Sequence, residues 1–162
     1  MKRIYFIRHA KANEGTDDFN RDLSERGKKD LAFMCERLKE HRINVDAIFS
    51  SSAKRSEKTA LKMANSVKFD KKIKLKDELY AVTLDSLLKF IKGLNNELND
   101  IFIISHNNAI TEVCEFLSDS AIGNIPTCGI FCIKFECDFA NITEHCGKAL
   151  FFEHPKSTRN RV

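Results

Sequence analysis

Apolar and polar positions along this chain follow two periods. Ile4-Tyr5-Phe6-Ile7 and Ile101-Phe102-Ile103-Ile104 are unbroken apolar runs of the length of strands buried on both faces. Val45 to Phe49 predicts another strand and Ile73 to Leu75 a short one; Ile130 to Phe135 and Ala149 to Phe152 predict a late antiparallel addition. Between these runs the period becomes helical. Leu31, Met34, Cys35 and Leu38 follow Ser24, a candidate N-cap, on a helix running to about His41. Further helical faces are carried by Ala60, Met63, Ala64 and Val67, by Leu84, Leu87, Leu88 and Ile91, and by Ile110, Val113, Cys114 and Leu117. Lys11 to Leu23 and Lys76 to Thr83 keep neither period and read as loops. Strands alternating with helices of this length imply parallel βαβ units. The expected fold is α/β, a three-layer α/β/α sandwich with a mostly parallel central sheet.

Size and charge narrow the picture without changing it. A chain of 162 residues predicts a single domain over residues 1–154 with a basic tail at 155–162. A net charge of +4 is too slight a bias to argue for nucleic acid, and no apolar run reaches membrane-spanning length. Lys2-Arg3 precede too few apolar residues for a signal peptide. The expectation is a cytoplasmic monomer with neither a nucleic-acid nor a membrane partner. Its six cysteines are then expected as free thiols, with Cys35 and Cys114 in the core. Cys128, Cys132, Cys137 and Cys146 with His145 could suggest zinc, but no CxxC pair occurs and Cys132 and Cys137 have opposite strand parity. His41, His145 and His154 have no identifiable partner.

Ligands of open α/β sheets sit outside the carboxyl ends of the strands. Three predicted strand ends carry Arg8-His9, Ser51 with Arg55, and His106. Two guanidiniums supply planar bidentate donors for phosphate or carboxylate, and two imidazoles can be neutral near pH 7. A neutral imidazole can attack phosphorus while cationic donors hold the equatorial oxygens. No metal or cofactor is called for.

At these positions the chain resembles the histidine phosphatase (phosphoglycerate mutase-like) superfamily. The likeness rests on Arg8-His9-Ala10 ending the first strand, on Ser51-Ser52 followed by Arg55 and Thr59-Ala60, and on Ser105-His106-Asn107. Asp18 to Gly27, with Arg21, Leu23, Ser24 and Gly27, is similar to a fourth block, R-x-L-S/T-x-x-G. The resemblance implies a phosphoglycerate mutase-like fold and a covalent phosphohistidine intermediate. By position, His9 would be the nucleophile and Arg8, Arg55 and His106 would bind the phosphoryl group, with a protonated His106 as one option. Ser51 and Asn107 are further candidates for phosphate contact. Arg21 is another, or else a partner of Asp18 or Asp22.

Two features narrow the branch. The short interval between Arg55 and His106 leaves no room for a large cap insertion. Glu78-Leu79-Tyr80-Ala81 is similar to the small SixA-like branch, whose members are associated with phosphohistidine on proteins. Ala81 stands where many relatives carry a catalytic Glu, so Glu78 becomes the expected general acid, with Asp17 or Asp18 as alternatives. The leading expectation is a metal-independent phosphatase, with phosphohistidine on a protein as substrate. The alternatives are a small-molecule phosphomonoesterase and a phosphoprotein-binding module without turnover. Zinc held by His9 and His106 ranks last, because Arg8 and Arg55 would repel a cation.

Overall fold

The apolar run at the N-terminus forms β1 (Lys2–Arg8), and its side chains alternate between two cores. Ile4 and Phe6 enter one, Tyr5 and Ile7 the other, as the two-residue period of a strand requires. This computed structural model describes residues 1–156; residues 157–162 of the expected basic tail lie outside it. The second apolar run forms β4 (Asp100–Ser105), parallel to β1 in a register that sets Arg8 opposite Ser105. β2 (Ala47–Ser51) lies on the far side of β4, and the short β3 (Lys74–Lys76) completes the parallel part. β5 (Ile130–Phe135) and β6 (Lys148–Glu153) add antiparallel to the other side of β1. The strand order is β3-β2-β4-β1-β5-β6.

Helices cover both faces. α1 (Glu25–Glu40) and α2 (Lys54–Ser66) pack on one core through Leu31, Met34, Leu38, Ala60 and Met63. α3 (Leu84–Lys92) and α4 (Ala109–Leu117) pack on the other through Leu87, Ile91, Ile110, Val113 and Leu117. This is the three-layer sandwich the periodicity predicts, with no large cap insertion. Cys35 and Cys114 are core residues, as expected.

Two local features build the site's surroundings. Ser24 caps α1 by accepting the Gly27 N–H at 3.0 Å. The Lys11 carbonyl passes so close to Gly27 that a Cβ there would collide with it. The block Leu23-Ser24-x-x-Gly27 is therefore a docking joint between α1 and the segment that leaves β1. The second feature is a shift of β2, expected at Val45 to Phe49 but found two residues later. Ser50 and Ser51 are fully buried strand residues, paired with Leu75 and Lys76 of β3. Polar side chains concealed this continuation in the sequence.

Three minor expectations are corrected, beginning with His154, whose ring lies against Phe152 at 5.2 Å between centroids. His41 has a partner: its ring stacks on Phe151 at 4.2 Å between centroids, and Nε2 lies 3.0 Å from Glu153. His145 likewise places Nδ1 2.8 Å from the Ser118 carbonyl.

Candidate active site

Register alone brings the two catalytic candidates together. Arg8 pairs with Ser105 on adjacent parallel strands, so the residues that follow, His9 and His106, leave the sheet side by side. Their ring centroids are 5.0 Å apart, about one inter-strand spacing. Arg55, in the first turn of α2 just past β2, closes the group with Nη2 3.5 Å from His106 Nδ1. Thr59, one turn further on, locks the helix to the strand end. Its hydroxyl accepts the Ala10 N–H at 2.9 Å and donates to the Arg55 carbonyl at 2.8 Å.

His9 is almost fully buried, and its Nδ1 lies 2.8 Å from the Ala10 carbonyl. A carbonyl only accepts, so Nδ1 carries the proton and Nε2 keeps its lone pair. Burial is the main force pushing the His9 pKa down to about 4, and the Arg55, Arg8 and Arg21 charges add to it. His9 is thus a neutral imidazole with an available nitrogen at neutral pH. Burial, then His9 and Arg55, push His106 to about 3. His106 is therefore also neutral, which leaves out the option of a protonated ring.

The guanidiniums retain donors for an anion. Arg8 Nη1 donates to the Ile125 carbonyl at 2.9 Å and Arg55 Nη1 to the Asp18 carbonyl at 2.7 Å. Both Nε–H groups are buried with no acceptor among the described residues. Such groups cost roughly 1–3 kcal/mol each when left unpaired. Arg37 Nε on α1, away from the site, is in the same state, so what singles out Arg8 and Arg55 is that both stand beside His9 and His106.

Other expected residues stand elsewhere. Ser51 is fully buried behind His106 and does not face the site. Its hydroxyl accepts the Ala53 N–H at 3.2 Å and lies 2.7 Å from His106 Nε2. Arg55 Nη2 can only donate, so Nδ1 of His106 faces it as the acceptor and the ring proton sits on Nε2, which donates to the Ser51 hydroxyl. Asn107 spends its amide on Asn124 at 2.6 Å and on the Thr111 hydroxyl at 2.6 Å. Thr111 in turn accepts the Ile125 N–H at 3.0 Å, so Asn107 braces the segment that holds Arg8. Arg21 joins the site's rim, paired with Asp18 at 2.9 Å and with the Asn13 carbonyl at 3.0 Å.

Glu78 is the clearest correction. The segment after β3 makes one 3-10 turn (Asp77–Leu79), and three residues per turn cannot aim Glu78 and Leu79 the same way. Leu79 enters the core, where its carbonyl accepts the Ser105 hydroxyl at 2.7 Å. Glu78 is exposed in a groove with Phe49, Lys74, Lys76, Lys89 and Phe90, none of them a site residue. The residue that does reach the site is Tyr80. Its ring meets His106 edge-on at 5.6 Å, and its hydroxyl donates to Asp18 Oδ2 at 2.6 Å. A tyrosine in a loop gave no signal of this. Asp18 is no acid either: the Tyr80 hydrogen bond, with Arg55 and Arg21, holds it at about 2.

The model of the histidine phosphatase superfamily (branch 1) matches residues 4–84, half of the chain, and the protein belongs to that superfamily. It is a phosphatase-type hydrolase. In fold it is similar to the protein histidine phosphatase SixA complexed with tungstate, with a TM-score of 0.82 at 17% identity over 96% of this chain and 99% of that one. SixA from Agrobacterium tumefaciens gives 0.82 at 22% identity, covering 95% and 98%. A mycobacterial glucosyl-3-phosphoglycerate phosphatase in complex with VO3 gives 0.71 at 13%, covering 95% and 100%. At these identities the likeness is one of fold. No curated protein matches the sequence. No helix among the described residues is long and apolar enough to cross a membrane.

Proposed function

We propose that the protein is a metal-independent phosphohistidine phosphatase acting on a phosphorylated protein through His9. One observation carries this reading: a neutral imidazole whose Nε2 is open, set between two guanidiniums with unpaired buried N–H groups. His9 Nε2 attacks phosphorus, the N–P bond to the enzyme forms, and the bond to the leaving group breaks. Arg8 and Arg55 hold the equatorial oxygens as charge develops, and His106 keeps Arg55 in place through Nδ1. Water then attacks phosphorus, the enzyme N–P bond breaks, and inorganic phosphate leaves.

The leaving group supports the choice of substrate. Among the described residues, the one carboxylate in contact with the site is Asp18, held as an anion, and the Tyr80 proton is already donated to it. An alkoxide leaving group would need a proton that neither supplies. A phosphorylated imidazole needs no strong acid from the enzyme, because it titrates near neutral pH and can leave in its protonated form. The uncapped site leaves room for a protein-borne phosphoryl group.

The test is a quenched incubation, with chelator present, with a phosphohistidine-bearing protein and, separately, with an activated aryl phosphate. An acid-labile phosphoenzyme is expected on wild type and not on His9→Ala, with turnover surviving chelation. Phosphate binding with neither label nor turnover would leave a binding module instead. Faster turnover of an alkyl phosphomonoester than of phosphohistidine protein would shift the substrate to a small molecule.

A further inference from the structure

Asp18 stands at the tip of the long loop between β1 and α1, where its carboxylate takes up three donors of the site. Oδ2 accepts from Arg55 Nη2 at 3.1 Å and from Tyr80 at 2.6 Å, and Oδ1 from Arg21 Nη2 at 2.9 Å. Arg55 Nη2 is also the nitrogen nearest His106 Nδ1. A phosphoryl group that takes the unpaired Nε–H of Arg55 lies on the edge Nε shares with Nη2, and so meets the Asp18 carboxylate at that one nitrogen. A carboxylate and a phosphoryl dianion sharing that nitrogen repel each other at close range, which favours one occupant at a time.

Three further features make the Asp18 carboxylate exchangeable. The Asp18 carbonyl holds Arg55 Nη1 at 2.7 Å, so Arg55 stays aimed when the carboxylate lets go. The base of the loop is tied down separately, by Asp22 to Lys58 at 2.8 Å, by the Asn13 N–H to the Asp22 carbonyl at 2.8 Å, and by the Ala12–Leu23 bridge. Only the tip has to move, and the Asp18 side chain is 52% exposed there. Tyr80 gives the tip a resting place, through its hydroxyl on Asp18 and its ring against Phe19 at 5.1 Å.

We propose that Asp18 is a resident anion of the active site, displaced from Arg55 and Arg21 by an incoming phosphoryl dianion and returning to displace inorganic phosphate after hydrolysis. The inference rests on the phosphatase reading and adds a basis for specificity. A phosphoryl group near neutral pH brings up to two charges and three oxygens against the carboxylate's one charge and two oxygens. A dianion wins the exchange, whereas a monoanion such as a phosphodiester has no such advantage.

Two measurements decide it. The first is the structure of the wild-type protein with orthovanadate. The oxyanion is expected on Arg55 Nη2, with the Asp18 carboxylate out of hydrogen-bond range of that nitrogen and its carbonyl still on Nη1. Vanadate bound with Asp18 unmoved would overturn the proposal and leave the phosphatase reading intact. Displacement in a protein that neither forms a phosphoenzyme nor turns over would keep the proposal and remove that reading. Failure to bind any oxyanion would remove both.

The second is competitive inhibition by inorganic phosphate and by dimethyl phosphate. Asp18→Asn is expected to tighten phosphate about tenfold, a typical size for a coupling between competing contacts. It should also narrow the preference for phosphate over dimethyl phosphate. Tyr80→Phe removes no charge and loosens only the carboxylate, so it should tighten phosphate about threefold. Equal or weaker phosphate binding in Tyr80→Phe would mean that Asp18 merely positions Arg55, and would overturn the exchange.

Discussion

Arg8, His9, Arg55 and His106 stand on strand ends and a first helical turn, and three of the four are nearly fully buried. Asp18, Arg21 and Tyr80, which face them, hang from loops and remain partly or largely exposed. The first group is fixed by the sheet. Adjacent parallel strands in register set the two imidazoles side by side, and Thr59 bolts the helix that carries Arg55 to the end of β1. The second group is held by side-chain contacts to one another and to Arg55. A rigid wall of this kind suits the reacting atoms, whose geometry tolerates little error. A wall of exchangeable contacts suits the entry and departure of an anion.

The comparison breaks most visibly at its rigid end. His9→Ala should lower turnover by on the order of 10⁴-fold or more and abolish the phosphoenzyme, read by quenched-flow labelling. Arg55→Ala should cost about 10³-fold in kcat/KM, as loss of a buried donor to the transition state does. Residual activity above a tenth of wild type in either variant would contradict a site built around them. Arg21→Ala tests the loop wall and should cost only about tenfold, mostly in KM, because its charge sits at the rim.

Acidification offers a second contrast. His9 at about 4 and His106 at about 3 lie below the ordinary histidine value of 6.5. A phosphoryl substrate loses its second charge at about pH 6 and sets one limb of kcat/KM there. Protonation of His9 should add a second, steeper fall only at about pH 4, and an NMR titration of the His9 ring near 6.5 would mean that it is not buried as described. Stability carries the same sign. The unfolded chain takes up these protons first, so the two imidazoles contribute fully above about pH 6.5. That contribution is lost as the pH falls to about 3, which thermal denaturation across this range can follow. The smallest effect is expected at Glu78→Ala, within about twofold of wild type on any substrate, since an exposed side chain outside the site has little to lose.

The loop wall is also the part of the site least legible in the sequence. Arg8-His9, Arg55 and His106 were legible because apolar runs end at them, and a strand end has one address in a parallel sheet. Leu23-Ser24-x-x-Gly27 was legible as a pattern, though its reason, the Lys11 carbonyl crossing at Gly27, is a contact between distant backbones. Glu78 misled because it is the carboxylate nearest Ala81, the position where many relatives carry a Glu, and only the 3-10 turn shows that it faces away. Ser51 and Asn107 lie next to the site in sequence, but their polar atoms are spent on His106 and on the Thr111–Asn124 brace.

By itself, the sequence determined the layers, most of the strands and the placing of Arg8, His9, Arg55 and His106 at neighbouring strand ends, where we propose the reaction occurs. Each follows from a local periodicity and from where that periodicity stops. Tertiary structure alone decided which imidazole nitrogen is free, that both imidazoles are neutral, and that Asp18, Arg21 and Tyr80 form the opposite wall. Those properties depend on burial and on hydrogen bonds between segments far apart in the chain, such as the 62-residue span from Asp18 to Tyr80. No periodicity records such a pairing, because loops carry no repeat and a hydrogen bond is decided by where two chains meet.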